Sequence, residues 1–172
     1  MKKKSLIYIT ETSIPSLSAN IINSLKFCDA LANDFEVNFF LPRCNISKKK
    51  IKHDFSLKNE IFFNEIIKKN ISNSFLRFYF SICIILKTLF RLRKSEIIIG
   101  RSIVCSIMLA LFNKKNILEI HNDLNGLTKI LFKFITKSFF KKNFIFIVLN
   151  KKLAEDLNIQ HLKYIILDDA AD

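Results

Sequence analysis

An α/β fold built on a Rossmann-like, doubly wound parallel sheet is what this sequence predicts, on three observations. Short, β-branched apolar runs alternate with longer segments of helical spacing along the chain, and such alternation builds parallel sheets through crossover helices. The first run, Ser5–Thr10, is continuously apolar at its centre, as in a strand covered on both faces. At 172 residues the chain has the length of one ordinary domain, with room for a single sizeable core.

Ser5–Thr10 is therefore the first strand. Pro15 and the Ser/Thr around it mark a loop, after which Ile21, Leu25, Cys28 and Ala32 recur at helical spacing behind Ser18, a suitable N-cap. Phe35–Leu41 is a second strand stopped by Pro42, which completes a right-handed βαβ unit. Residues 44–73 are lysine-rich and poorly periodic, and only a strand near Glu60–Phe63 can be assigned there. Alternation then resumes: helix Phe75–Arg93, strand Glu96–Ile99 ending at Gly100, helix Ser102–Phe112 and strand Asn116–Ile120. Helix Thr128–Lys142, strand Phe144–Leu149, short helix Lys151–Leu157 and strand Tyr164–Leu167 follow.

Composition narrows the function classes. Half of the residues are hydrophobic and a quarter charged, which fits a globule and excludes a disordered chain. The formal net charge of +13 is concentrated in residues 47–94, with twelve Lys/Arg against three acids, and in 128–152, with seven against none. Such patches attract phospholipid headgroups, phosphorylated lipids or nucleic acid; the lysine-rich codon usage of an AT-rich genome produces the same excess on a merely solvated face. The four cysteines are widely spaced and lack metal-ligand spacing, so they read as reduced thiols. Met1-Lys-Lys-Lys precedes an apolar run too short for a signal peptide, and the most apolar stretch, Phe75–Leu92, is broken by Arg77, Lys87 and Arg91. A cytoplasmic protein is expected, with a peripheral place on the inner face of the membrane as the further expectation.

Ligands of doubly wound sheets bind at the carboxyl ends of the strands. That rule selects the loops Thr10–Asn20, Gly100–Ser102 and His121–Asn125 together with Asn150. The two glycines, Gly100 and Gly126, cannot supply the G-x-G-x-x-G of a nicotinamide or flavin enzyme, nor a P-loop. Catalytic Cys/His and Ser/His/Asp arrangements have no local signature, and neither a zinc finger nor an RNA-recognition aromatic motif occurs. Nucleic acid is not an expected partner.

At the same loops the sequence resembles the retaining GT-B glycosyltransferases, whose N-terminal half is the subfamily 4-like domain. Leu6-Ile-Tyr-Ile-Thr with Ser16-Leu-Ser-Ala-Asn20 is similar to the family's first strand and loop, and Ile97-Ile-Ile-Gly-Arg101-Ser to its strand that ends in an arginine. Ile117-Leu-Glu-Ile-His121-Asn-Asp resembles the strand that ends in a histidine, Phe146–Leu157 the strand followed by S-K-x-L-x-x-x-L, and Ile165–Asp172 the P-N/D-G-V-D segment. The resemblance implies the N-terminal half of a GT-B fold, which binds the acceptor while a C-terminal domain binds the nucleotide-sugar. It also implies hexosyl transfer in cell-surface polysaccharide or glycolipid synthesis, with a sugar or lipid-phosphate acceptor. The family's donor domain carries two glutamates eight positions apart; no two acidic residues here have that spacing, so the expectation is a single acceptor-side domain, 1–172, inactive alone. No D-x-D motif occurs, and neither a metal nor a cofactor is expected.

The resemblance makes His121 the catalytic candidate, in contact with the transferred sugar; the bland reading is a strand-end histidine bonded to backbone. Glu119, two residues earlier and on the same strand face, either orients the imidazole or pairs with a lysine. Arg101 suits an acceptor phosphate through its planar fork, or an ion pair with Glu96. Ser16, Ser18 and Asn20 stand where relatives carry glycines, and Ser18 and Asn20 would offer donors to an anionic acceptor at a helix start or simply cap the helix. Lys129, Lys133, Lys137 and Lys141 form a basic stripe on a helix that also holds Ile130, Leu131, Phe134 and Ile135. Either a membrane-surface helix or a helix packed on a sheet has this pattern. The rival to an enzyme is a non-catalytic acceptor- or membrane-binding module, or a degenerate remnant.

Overall fold

The computed structural model describes residues 3–91, 97–121 and 124–167. In chain order its elements are β1 (Lys4–Ile9), α1 (Ala19–Leu31), β2 (Phe35–Leu41), α2 (Lys48–Asp54), β3 (Ile61–Glu65), α3 (Ser74–Arg91) and β4 (Ile97–Gly100). There follow α4 (Ile103–Leu111), β5 (Asn116–Ile120), α5 (Gly126–Lys137), a 3-10 helix (Phe139–Asn143), β6 (Phe144–Val148), α6 (Lys151–Asp156) and β7 (Tyr164–Ile166). The seven strands form one parallel sheet, flanked by helices, in the order β3-β2-β1-β4-β5-β6-β7. Strand order runs outward from β1 to β3 and then resumes at β4 on the other side of β1, the doubly wound arrangement expected from the alternation.

By internal packing the chain divides into two compact units, Met1–Ile98 and Ile99–Asp172. In the first, β1 pairs with β2 from Lys4↔Phe35 to Ile9↔Phe40, and β2 with β3 from Val37↔Ile61 to Leu41↔Glu65. The fully buried Tyr8 stacks on Phe39 at 5.3 Å between ring centroids. Its hydroxyl donates to Ser24 Oγ at 3.1 Å, and Ser24 Oγ donates to the Asn20 carbonyl at 2.7 Å. A buried phenol thus has its polar tip satisfied, and β1 is tied to the first turn of α1. Ser18 occupies the N-cap position in extended geometry, but its side chain makes no capping bond.

The stretch that sequence periodicity left blank contains α2. This helix has only seven residues, one of them buried, Ile51, so it carries no apolar period to read. Its start is marked by Ser47, whose hydroxyl accepts from the Lys50 N–H at 3.3 Å. The loop into β3 is pinned from α1: the Asp29 carboxylate accepts from the N–H groups of Lys58 at 3.0 Å and Asn59 at 2.7 Å, and the Asn59 amide donates to the Asp29 carbonyl at 2.8 Å.

In the second unit β5 pairs with β6 from Asn116↔Phe144 to Ile120↔Val148. Leu118, Phe146 and Val148 of the sheet pack with Phe132 and Ile135 of α5 and with Leu153 and Ala154 of α6. Phe146 stacks on Phe144 and meets Phe132 edge-on, both at 5.5 Å. The single helix expected over Thr128–Lys142 is two. At Ser138 the backbone turns extended, and the Ser138 hydroxyl, which donates to the Ile135 carbonyl at 2.9 Å, accepts from the Phe140 N–H at 3.2 Å to open the 3-10 helix. Lys141 therefore lies beyond α5, off the basic stripe. Leu92, Arg93 and Glu96, assigned from sequence to a helix end and a strand start, lie outside the described residues, as do Asn122, Asp123 and 168–172.

Asp29→Ala removes the acceptor of two backbone N–H groups at once. Hydrogen bonds to a charged group each contribute roughly 1.5–3 kcal/mol, so the variant is expected to lose about 2 kcal/mol or more in urea unfolding; an unchanged midpoint would show that the loop before β3 does not depend on this carboxylate.

Candidate functional site

Within the second unit, the register Ile99↔Ile117 and Gly100↔Leu118 runs toward the carboxyl ends of β4 and β5, and one step further it brings Arg101 beside Glu119. Glu119 and His121 are two positions apart in extended chain and face the same way. The result is a compact cluster on one oxygen: Glu119 Oε1 accepts from Arg101 Nη2 at 2.6 Å and from His121 Nε2 at 2.5 Å. The Glu119 side chain is 3 % exposed, Arg101 11 % and His121 15 %. A bare carboxylate at that depth is prohibitive. The guanidinium supplies the compensating charge, and the imidazole takes what remains of the same oxygen.

This geometry gives the His121 ring a defined orientation. When its Nε2–H donates to Glu119, the neutral ring carries its lone pair on Nδ1, and ring plane and tautomer are both fixed by the carboxylate. An imidazole so held can accept a hydrogen bond or a proton at Nδ1. Of the two readings of Glu119 open from sequence, contact with the imidazole is the one present, and its basic partner is an arginine. Arg101 turns part of its fork inward to that carboxylate; Glu96, the other partner considered for it, lies outside the described residues.

Ser16, Ser18 and Asn20 belong to the first unit and form a group of their own at the start of α1. Ser16 Oγ donates to Ser18 Oγ at 3.1 Å and accepts from the Ser18 N–H at 3.2 Å. Asn20 is exposed, and its carbonyl is the acceptor of Ser24. Ser16 also lines a cavity of about 560 Å³ formed by the loops that follow β1, β2 and β3. Its polar wall is Glu11, Thr12, Ser13, Asn45 and Asn70, with Ile14, Pro15 and Ile71 as the apolar part.

The cavity is braced from both sides. Ile14 bridges to the segment after β2, its N–H donating to the Arg43 carbonyl and its carbonyl accepting from the Asn45 N–H, each at 2.9 Å. Glu11 is held by Arg77 Nε of α3 at 2.7 Å. Ser13 Oγ is buried and has no hydrogen-bond partner among the described residues. Behind the bridge, burial raises the Cys44 thiol pKa, a hydrogen bond with the Ile46 backbone opposes it and the Glu65 carboxylate adds to it, so the thiol stays protonated beyond the ordinary thiol range. Glu11–Ser13 were legible as the residues directly after the first strand. Asn45 and Asn70 were not, because they lie within the segment 44–73 that lacks periodicity.

Among the described residues no group of three or more His, Cys, Asp and Glu side chains is placed to hold a metal ion. Comparison with protein-family models, with curated proteins and with solved structures found no significant match.

Removing one partner of a buried ion pair leaves the other charge uncompensated, at a cost of roughly 3–5 kcal/mol. Glu119→Ala is therefore expected to destabilise the protein by about 3 kcal/mol in urea unfolding. In the intact protein, 15N spectra of the neutral His121 ring should show the proton on Nε2. A proton on Nδ1 instead would mean that Glu119 does not orient the imidazole.

Proposed function

We propose that residues 1–172 are the acceptor-side domain of a retaining GT-B glycosyltransferase, with the nucleotide-sugar bound by a domain outside these residues. The observation that carries this reading is His121 at the carboxyl end of β5, held through Nε2 by the buried Glu119. A free strand-end histidine needs no such support, whereas a ring that must meet a hydroxyl in one orientation does. The ordered motif resemblance across β1, β4, β5 and β6 supports the same assignment, since Arg101 and His121 follow the two strands in which the family carries an arginine and a histidine.

In this reading, the bond between the sugar's anomeric carbon and the nucleotide diphosphate breaks while a bond to an acceptor hydroxyl oxygen forms, and the acceptor proton passes to the departing diphosphate. His121 contacts the transferred sugar through Nδ1, and Glu119 and Arg101 act as positioning residues behind it. The cavity beside β1, described within the first unit alone, is by its own lining suited to binding a sugar. Its wall offers hydroxyl, amide and carboxylate groups and, among the described residues, no lysine or arginine, which favours a sugar hydroxyl over a lipid phosphate at that point. The protein works in the cytoplasm, at the inner face of the membrane. A non-catalytic acceptor-binding module is the second reading, favoured by a cavity whose walls come wholly from the first unit.

The decisive assay is transfer from radiolabelled nucleotide-sugars to sugar and phospholipid acceptors, with the chain alone and with a donor-domain chain encoded beside it. Activity is expected only in the mixture, with His121→Ala lowering it by a factor of about 100 or more while the fold is kept. Turnover by the chain alone, or full activity of His121→Ala, would refute the assignment. Saturable sugar binding without turnover in any mixture would establish the binding module.

A further inference from the structure

We infer that the face formed by α5 and the following 3-10 helix is a docking surface for anionic lipid bilayers. The inference does not rest on the glycosyltransferase reading. A helix packed on a sheet normally turns its apolar residues inward, and α5 does so with Phe132 and Ile135. Ile130 and Phe134 do the opposite: they are 65 % and 61 % exposed, respectively. One turn apart, they stand next to Lys129, Lys133 and Lys137, all exposed, and together the five side chains cover an arc of roughly 140° of the helix surface. Beyond the break at Ser138, Phe139 is 71 % exposed, and the Lys142 ammonium sits 3.5 Å from its ring centroid.

Interleaved cations and bare hydrocarbon specify the occupant by chemistry. Lysines on long aliphatic stems reach phosphate oxygens while their methylenes lie along apolar surface. Ile130, Phe134 and Phe139 have the shape and polarity to enter the acyl boundary beneath. Phe139 under an ammonium is an aromatic group carrying its own cation at headgroup level. Residues 128–152 hold seven lysines and no acid, so the face repels a basic partner and attracts an anionic surface. A nucleic acid backbone would use the lysines and leave Ile130 and Phe134 in water; a bilayer uses both.

The experiment is co-sedimentation of the whole chain with vesicles of phosphatidylcholine alone and of phosphatidylcholine with phosphatidylglycerol. Binding is expected to the anionic vesicles, weakening as salt shortens the reach of the lysines. Ile130→Ser/Phe134→Ser should lower the affinity about tenfold, and Lys129→Gln/Lys133→Gln/Lys137→Gln should abolish the preference for anionic lipid. These five positions are exposed, so circular dichroism should be unchanged. Phe75→Ser, at a 74 % exposed apolar position of α3, should bind like the parent chain. No binding, or binding that the serine pair leaves unaltered, overturns the inference. Tighter binding to duplex DNA than to the anionic vesicles would overturn it too and assign the face to a polyanion. Failure here would remove the support for a place at the membrane but leave glycosyl transfer itself untouched, so docking and transfer fail separately.

Discussion

The second unit is organised around one oxygen atom. Glu119 Oε1 lies at the end of β5, almost wholly out of water, where the sheet register delivers Arg101 to it and the strand's own alternation delivers His121. Remove the register and the cluster does not form, because Arg101 comes from the loop after β4 and reaches Glu119 only when β4 and β5 are paired. The cluster in turn constrains the sheet. A slip by one residue would turn Glu119 to the opposite face and separate it from Arg101, leaving a buried carboxylate without its cation. Polar complementarity at the strand ends and apolar packing of Leu118, Phe146 and Phe132 therefore select the same pairing.

Such an arrangement is poorly explained by stability. Buried ion pairs return little beyond their desolvation cost, and a well-packed apolar set of the same volume commonly does as well or better. Here the carboxylate carries a second, less buried partner in His121, whose ring is fixed in plane and tautomer by the contact. The first unit shows a similar economy. Arg77 holds Glu11, and the Ile14–Cys44 bridge holds the chain that follows, so the cavity's polar groups rest on braced backbone. Preorganised polar groups at the carboxyl ends of parallel strands are what ligand sites in this architecture require.

Most of the fold was readable because its signal is local and repeated. Runs such as Phe35–Leu41 and Asn116–Ile120 coincide with β2 and β5 at both ends, since buried parallel strands are predominantly apolar and stand out against the polar segments around them. The failures share a cause. α2 has a single buried residue, and a helix that short leaves no period in the sequence. The break at Ser138 was invisible because Phe139 and Phe140 continue an apolar pattern, while the hydroxyl that redirects the chain acts through two backbone contacts. Of the site, strand periodicity put Glu119 and His121 on one face but left open whether Glu119 meets the imidazole or a lysine. Arg101 as their third member did not follow from it, for it depends on which strand lies beside β5, and order in a sheet is not a local property.

The lysine stripe of α5 shows where pattern reading reverses once the packing is known. Spacing alone allowed Ile130 and Phe134 to be the buried side of the helix, with the lysines as the solvated side. In the structure that inner role belongs to Phe132 and Ile135, three residues apart, and α5 has apolar residues to spare. Codon bias accounts for lysines on a surface, since a lysine in water costs little. The same bias enriches Ile and Phe, but Ile130, Phe134 and Phe139 on that surface each expose hydrocarbon whose transfer from water is favourable by roughly 25 cal/mol per Å². Codon usage supplies lysine, isoleucine and phenylalanine alike; their interleaving on one exposed face is the feature that a lipid surface matches.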